Sequence, residues 1–174
     1  MRMLRALRFA AQLGFEVEEQ TFAANRELAQ TIEKISAERI QTELVKLLTS
    51  DHPELMREVY TSGISDVILP EFSVLMQTEQ NNPHHCYTVG EHTIHVVQQV
   101  ENQKVLRLAA LFAQCGIDTV RITGGEPLVR RGVEQLTAGL NAIPGIRRVA
   151  LTTNGVLLAQ KLPCLLYTSP SPRD

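Results

Sequence analysis

Leu106-Arg-Leu-Ala-Ala-Leu-Phe-Ala-Gln-Cys-Gly-Ile-Asp-Thr-Val-Arg-Ile-Thr-Gly-Gly-Glu-Pro127 contains a change of period. Up to Phe112 the apolar residues recur at helical spacing, whereas after Cys115 they fall in short strand-like runs that end in a glycine turn. Working outward from this point, the N-terminal side reads as an all-helical array joined by short loops. The C-terminal side reads as about one β-α-β repeat. The expected fold is therefore mainly α, with a partial βαβ unit after residue 112 and a disordered tail. The expected divisions are 1–80, 81–112, 113–163 and 164–174.

Composition sets loose bounds. A chain of 174 residues with 44% apolar and 21% charged residues is ordinary for a soluble globular protein, and composition alone gives no sign of a joint. The formal net charge of −2 supplies no global basic field, so nucleic-acid binding requires a local patch. Cys86, Cys115 and Cys164 form no CxxC and fit reduced thiols of a cytoplasmic protein. Arginines thread the opening Met1–Leu13, which excludes a signal peptide pattern, and no long uncharged apolar run predicts a membrane span. Composition sets no oligomeric state.

Met1–Leu13 is rich in helix formers, with Gly14 where a helix C′ residue would stand. Arg2, Arg5 and Arg8 are three apart and fan over about a third of a helical circumference. Two readings fit: a solvated face that keeps the helix soluble, or a guanidinium ladder for phosphates and base edges. The absence of acidic residues from the first 15 positions favours the ladder. A helix starting near Thr21, a third over Ala37–Leu48 with Ser36 as N-cap, and a short one over Pro53–Thr61 follow. Val67-Ile-Leu-Pro70 is expected to lead into a turn.

After Cys115, Thr119–Thr123 reads as a strand and Val133–Ala142 as a helix. Val149–Thr153 reads as a second strand, and Val156–Leu162 as a helix start. Such a unit leaves both sheet edges unpaired, so low intrinsic stability is expected. Gly124-Gly125 after a strand serves either backbone turning or close approach of a ligand. Four of the five histidines, His84, His85, His92 and His95, cluster with Cys86, yet their order matches no established zinc spacing.

Several of these motifs carry a family resemblance. Arg2-Met-Leu-Arg-Ala-Leu-Arg-Phe-Ala-Ala-Gln-Leu-Gly-Phe15, Ile35-Ser-Ala-Glu-Arg-Ile40 and Glu43-Leu-Val-Lys-Leu-Leu48 resemble the neck and body of bacterial class II CCA-adding tRNA nucleotidyltransferases and their poly(A) polymerase relatives. The resemblance covers about 1–112. It implies tRNA, CTP and ATP as partners, magnesium as the catalytic metal, and nucleotide contacts at Arg2, Arg5 and Arg8, with Arg2 reading the base. The family's acidic partner of that arginine and its catalytic head lie upstream of the resembling stretch, so no catalytic residue is assigned. Within 81–112, Glu91-His-Thr93 resembles the start of an HD phosphohydrolase domain, which would make His92 a first metal ligand. Ala113-Gln114 stands where that family has His-Asp, so no metal is expected.

Residues 113–163, with Thr123-Gly-Gly-Glu-Pro-Leu128 and Leu151-Thr-Thr-Asn-Gly155, resemble the radical S-adenosylmethionine GTP cyclase of molybdenum-cofactor biosynthesis, a TIM-like partial barrel. The resemblance implies S-adenosylmethionine near Gly125, GTP near Arg121 and Thr152, and a [4Fe–4S] cluster. Its CxxxCxxC triplet does not occur in the sequence, so no cofactor is expected to bind the chain as it stands. Cys164-Leu-Leu-Tyr-Thr-Ser-Pro-Ser-Pro-Arg-Asp174 fits no element and resembles the translation of a transposase adapter used in sequencing libraries. The leading expectation is a fragment of a tRNA nucleotidyltransferase that contributes RNA and nucleotide binding and is inactive alone. The alternatives are a fragment of the cyclase or a non-functional chimeric reading frame.

Overall fold

The computed structural model describes residues 1–80 and 87–168. His84, His85 and Cys86 lie outside the described residues. Helix α1, Arg2–Leu13, buries Met3, Leu4, Leu7, Ala10 and Ala11, which return to one face at helical spacing. It stops at Gly14, whose φ of 69° and ψ of 34° place it in the left-handed region, with its N–H donating to Ala10 O at 2.8 Å. The buried face meets α3, Ala37–Leu48, through Leu47 and Leu48, both fully buried. Burial of each such leucine contributes about 2 kcal/mol. Helix α2, Glu19–Leu28, begins two residues before the expected Thr21 and continues as a 3-10 turn over Ala29–Lys34. Ser36 stands at the N-cap of α3 as expected, although its hydroxyl makes no capping bond.

The expected helix over Pro53–Thr61 resolves into a 3-10 turn, Pro53–Leu55, followed by α4, Met56–Thr61. The expected turn after Val67 is a correction: α5, Ser65–Ile68, is followed at once by α6, Pro70–Gln77. Pro70 occupies the first turn of α6, where its missing N–H costs nothing and its fixed φ suits the helix. Helix α7, Val89–Gln99, is capped by Thr88, whose hydroxyl accepts from Glu91 N at 3.2 Å. It crosses α6 at Gly90, where a Cβ would run into the Met76 backbone.

Helix α8, Lys104–Gln114, packs on α3, on α7 and on the C-terminal part. That C-terminal part is β1, Thr119–Ile122, then α9, Val133–Asn141, β2, Arg148–Leu151, and α10, Leu158–Thr168. Strands β1 and β2 pair in parallel, Thr119 opposite Arg148 and Ile122 opposite Leu151. They begin and end close to the expected limits, and the β-α-β order is the expected one. Leu136, Leu140 and Ile143 of the α9 region join Leu106, Ala110 and Ala113 in the same apolar core as α1 and α3. Helix α10 runs through Cys164 to Thr168, five residues into the stretch expected to fit no element, and carries Pro163 in its interior.

Candidate functional site

Two places gather the residues singled out by the sequence. The first is the outer face of α1. Arg2 and Arg5 are exposed, but Arg8 is buried to 9% exposure because it turns inward. Its Nε lies 2.6 Å from Glu43 Oε2 on α3, an ion contact in which the N–H points off the line of an ideal hydrogen bond. Arg8 Nη1 donates to Gln12 at 2.6 Å, and Arg5 Nη2 reaches Glu43 Oε1 at 3.5 Å. The ladder therefore has an acidic partner that lies 35 residues beyond Arg8, out of reach of any local reading of the first 15 positions. Arg2 and Arg5 remain on the solvent side, where a phosphate can approach.

Two long-range contacts tie other helices of the array together. Arg57 grips Glu91 with two hydrogen bonds, Nε to Oε1 at 2.8 Å and Nη2 to Oε2 at 2.6 Å, tying α4 to the first turn of α7. These bonds hold the Glu91 carboxyl below its ordinary value of 4.5 and raise Arg57, while partial burial opposes both shifts. Arg107 on α8 is buried, and its Nη1 lies 3.4 Å from Leu48 O at the C-terminal end of α3. Burial pushes the Arg107 guanidinium down from its ordinary value. Among the described residues no group of three or more His, Cys, Asp or Glu side chains is gathered to hold a metal ion.

The second place is the C-terminal edge of the parallel pair, where ligands approach open α/β sheets. The structure brings Arg121, Gly125 and Thr152 to this edge. Arg121 is exposed on β1, whereas its neighbours Val120 and Ile122 lean on the core. Thr152 follows β2 directly and its N–H donates to Ile122 O at 3.0 Å. Gly124, with φ of 147°, and Gly125 have open space where a Cβ would stand, so the turn leaves backbone bare for a ligand.

Glu126 lies in the Gly-Gly-Glu-Pro turn, and the motif by itself gives it no role. Its carboxylate accepts from Leu128 N at 3.0 Å, the Thr153 hydroxyl at 2.8 Å and Asn154 N at 2.8 Å. Those N–H donors, Asn154 first, hold its carboxyl below 4.5. The turn after β1 and the loop after β2 are thus clasped to each other. Cys115 lies half-buried near the start of β1, and burial pushes its thiol up, away from the thiolate a metal needs. A [4Fe–4S] cluster does not fit these residues, since among the described residues no three or more His, Cys, Asp or Glu side chains are gathered around Cys115 or elsewhere.

Comparison with known proteins matches the same two parts. Residues 14–76 match the family described as a probable RNA and SrmB-binding site of polymerase A, which takes in α2 to α6 and begins just after α1. The chain is also similar to the mitochondrial GTP 3',8-cyclase of Arabidopsis thaliana, 32% identical over 117 residues, 62% of this chain and 30% of that protein. It is 46% identical over 68 residues to the molybdenum cofactor biosynthesis protein moc-5 of Caenorhabditis elegans, covering 39% of this chain and 11% of that one. Against the GTP 3',8-cyclase of Stenotrophomonas maltophilia strain K279a it is 47% identical over 60 residues, 34% of this chain and 18% of that protein. The chain thus spans under a third of the length of these relatives. The Arabidopsis alignment takes in more of this chain than the residues after Phe112 can supply, so it extends upstream of the change of period. No solved structure matches. The chain joins a stretch similar to a polymerase RNA-binding region and a stretch similar to GTP 3',8-cyclases.

Proposed function

We propose that the chain is a fragmentary reading frame whose active content is RNA binding by the helical array, with α1 as the contact face. The observation that carries this reading is the polymerase RNA-binding match over 14–76, immediately next to a helix that turns Arg2 and Arg5 to solvent. Guanidinium forks of this kind hold phosphates and base edges in pairs of hydrogen bonds. The partner is a tRNA-like RNA, with CTP or ATP contacts at Arg2, Arg5 and, through its edge, Arg8. Residues 1–80 form the neck and body, 81–112 an incomplete HD-type start, 113–163 the cyclase-like unit and 164–174 an artefactual tail. Neither CCA addition nor GTP cyclisation is assigned to the chain in this reading.

A second reading, a cyclase-derived ligand site, draws support from the open Gly124-Gly125 backbone beside Arg121 and Thr152. In that case the loop edge holds the methionine end of S-adenosylmethionine and the base or phosphates of GTP.

Electrophoretic shift with tRNA separates the readings. An Arg2→Ala/Arg5→Ala protein should bind at least tenfold more weakly, with wild-type affinity falling at a log–log salt slope of about −2, as expected for two phosphate contacts. Arg8 stays in place, because its removal strands Glu43 in the interior. Equal binding by the double variant removes α1 as the site. Saturable GTP binding with no RNA shift favours the cyclase-derived reading.

A further inference from the structure

We infer that Phe9 is a nucleobase-stacking platform set beside the α1 arginines, an assignment that rests on the RNA-binding reading above. Phe9 is 43% exposed in a helix whose other large apolar residues, Leu4 and Leu7, are fully buried, apart from Leu13 at its end. It lies one turn beyond Arg5 and two beyond Arg2, so the three share the solvent face in the order cation, cation, aromatic ring. Successive Cα positions on that stripe are separated by roughly 4.5 to 6 Å along the axis, comparable to the step between phosphates of a single strand. A strand laid along α1 meets two guanidinium groups and then a flat apolar surface.

The ring is also held ready. The Arg8 guanidinium sits 3.7 Å from the centroid of Phe9, and that guanidinium is itself fixed by Glu43 and Gln12. Part of the ring therefore rests on a cation that cannot swing away, which removes rotamer freedom before any ligand arrives. The remaining ring surface is open. Base–aromatic stacking tolerates any base, because every base offers a π-face. Charge decides between a base and an apolar protein partner: Arg2 and Arg5 precede the ring on the same exposed face, and phosphates, not a greasy helix, complement them.

The test uses the full chain, a short fluorescein-labelled oligoadenylate, and an abasic oligonucleotide of the same length, read by anisotropy. Phe9→Ala should weaken oligoadenylate binding about tenfold and leave abasic binding unchanged. Phe9→Leu, which keeps apolar bulk without a π-face, should behave like Phe9→Ala. Phe9→Trp should restore affinity, with its indole fluorescence quenched as the oligonucleotide is added. Equal weakening of both probes, or of neither, overturns the platform while leaving the arginine face standing. Failure of wild type to bind either probe overturns the RNA-binding reading and the platform together.

Discussion

The helical array from α1 to α8 and the unit from β1 to α10 bury their apolar residues in different ways. In the array, Leu4, Leu7, Ile32, Leu47, Leu48, Ile64 and Phe72 are enclosed by helices on several sides. The β-α-β unit has one covered sheet face, toward the core through Val120, Ile122 and Val149, and a bare face that carries Arg121. Parallel strands ordinarily have helices on both faces and several neighbours, because each exposed edge leaves backbone groups to water or to another chain. Helices satisfy their own backbone and can close a core in small numbers. A two-stranded pair cannot, so the unit depends on α8, where Leu106 packs against Gly139 and shares one core with Leu136 and Leu140.

Leu106→Ala offers the sharpest way to break this contrast. Leu106 is 2% exposed and serves the α8–α9 seam, so its truncation should cost about 3 kcal/mol, read from the urea midpoint. Amides of α9 should lose exchange protection before those of α1. Uniform loss of protection would mean that the two regions unfold as one body.

A smaller effect tests the array alone. The Glu91 carboxyl is depressed by Arg57, so it adds stability above its unfolded value near 4.5 and loses it as pH falls through its lower folded value. Wild type should exceed Glu91→Gln in thermal midpoint at neutral pH, and the gap should close on acidification below 4.5. Arg57 is 40% exposed, so solvent screening limits the gap to under about 1 kcal/mol. A gap that persists at low pH would assign the effect to shape and not to charge.

The smallest effect belongs to the loop clasp. Glu126→Gln replaces an acceptor-only group by one with its own N–H donors, which oppose those of Leu128 and Asn154. Faster amide exchange at Asn154 and Leu128, with α1 unaffected, is the expected outcome. Unchanged exchange would show that the turn and the loop hold their shape without the carboxylate.

What could be read in the sequence was local. Gly14 announced the end of α1, the short apolar runs gave β1 and β2 within a residue or two, and Gly-Gly-Glu-Pro marked a bare backbone edge. Contacts that join distant positions stayed hidden. Nothing within the first 15 residues points to Glu43, and no spacing rule pairs Arg57 with Glu91. Pro70 reads as a turn signal in the sequence because a proline at a helix start has the same local appearance as one in a turn. Arg8 illustrates the limit best, since a helical wheel groups it with Arg2 and Arg5 whereas tertiary packing draws it inward. Glu126 was in plain sight, but only the fold brings Thr153 and Asn154 within its reach.

Gly90, at the crossing of α6 and α7, and Gly139, where α9 meets Leu106 of α8, have unequal consequences for how this chain can drift. At Gly90 the first carbon of any side chain would meet the Met76 backbone, which no rotamer change can clear, so the α6–α7 crossing admits glycine alone. At Gly139 the same carbon would meet the Leu106 methyl groups, at 2.8 Å from Cδ1, and a leucine tip can turn aside. Substitutions should therefore accumulate at the seam between the two regions while the heart of the helical array stands still.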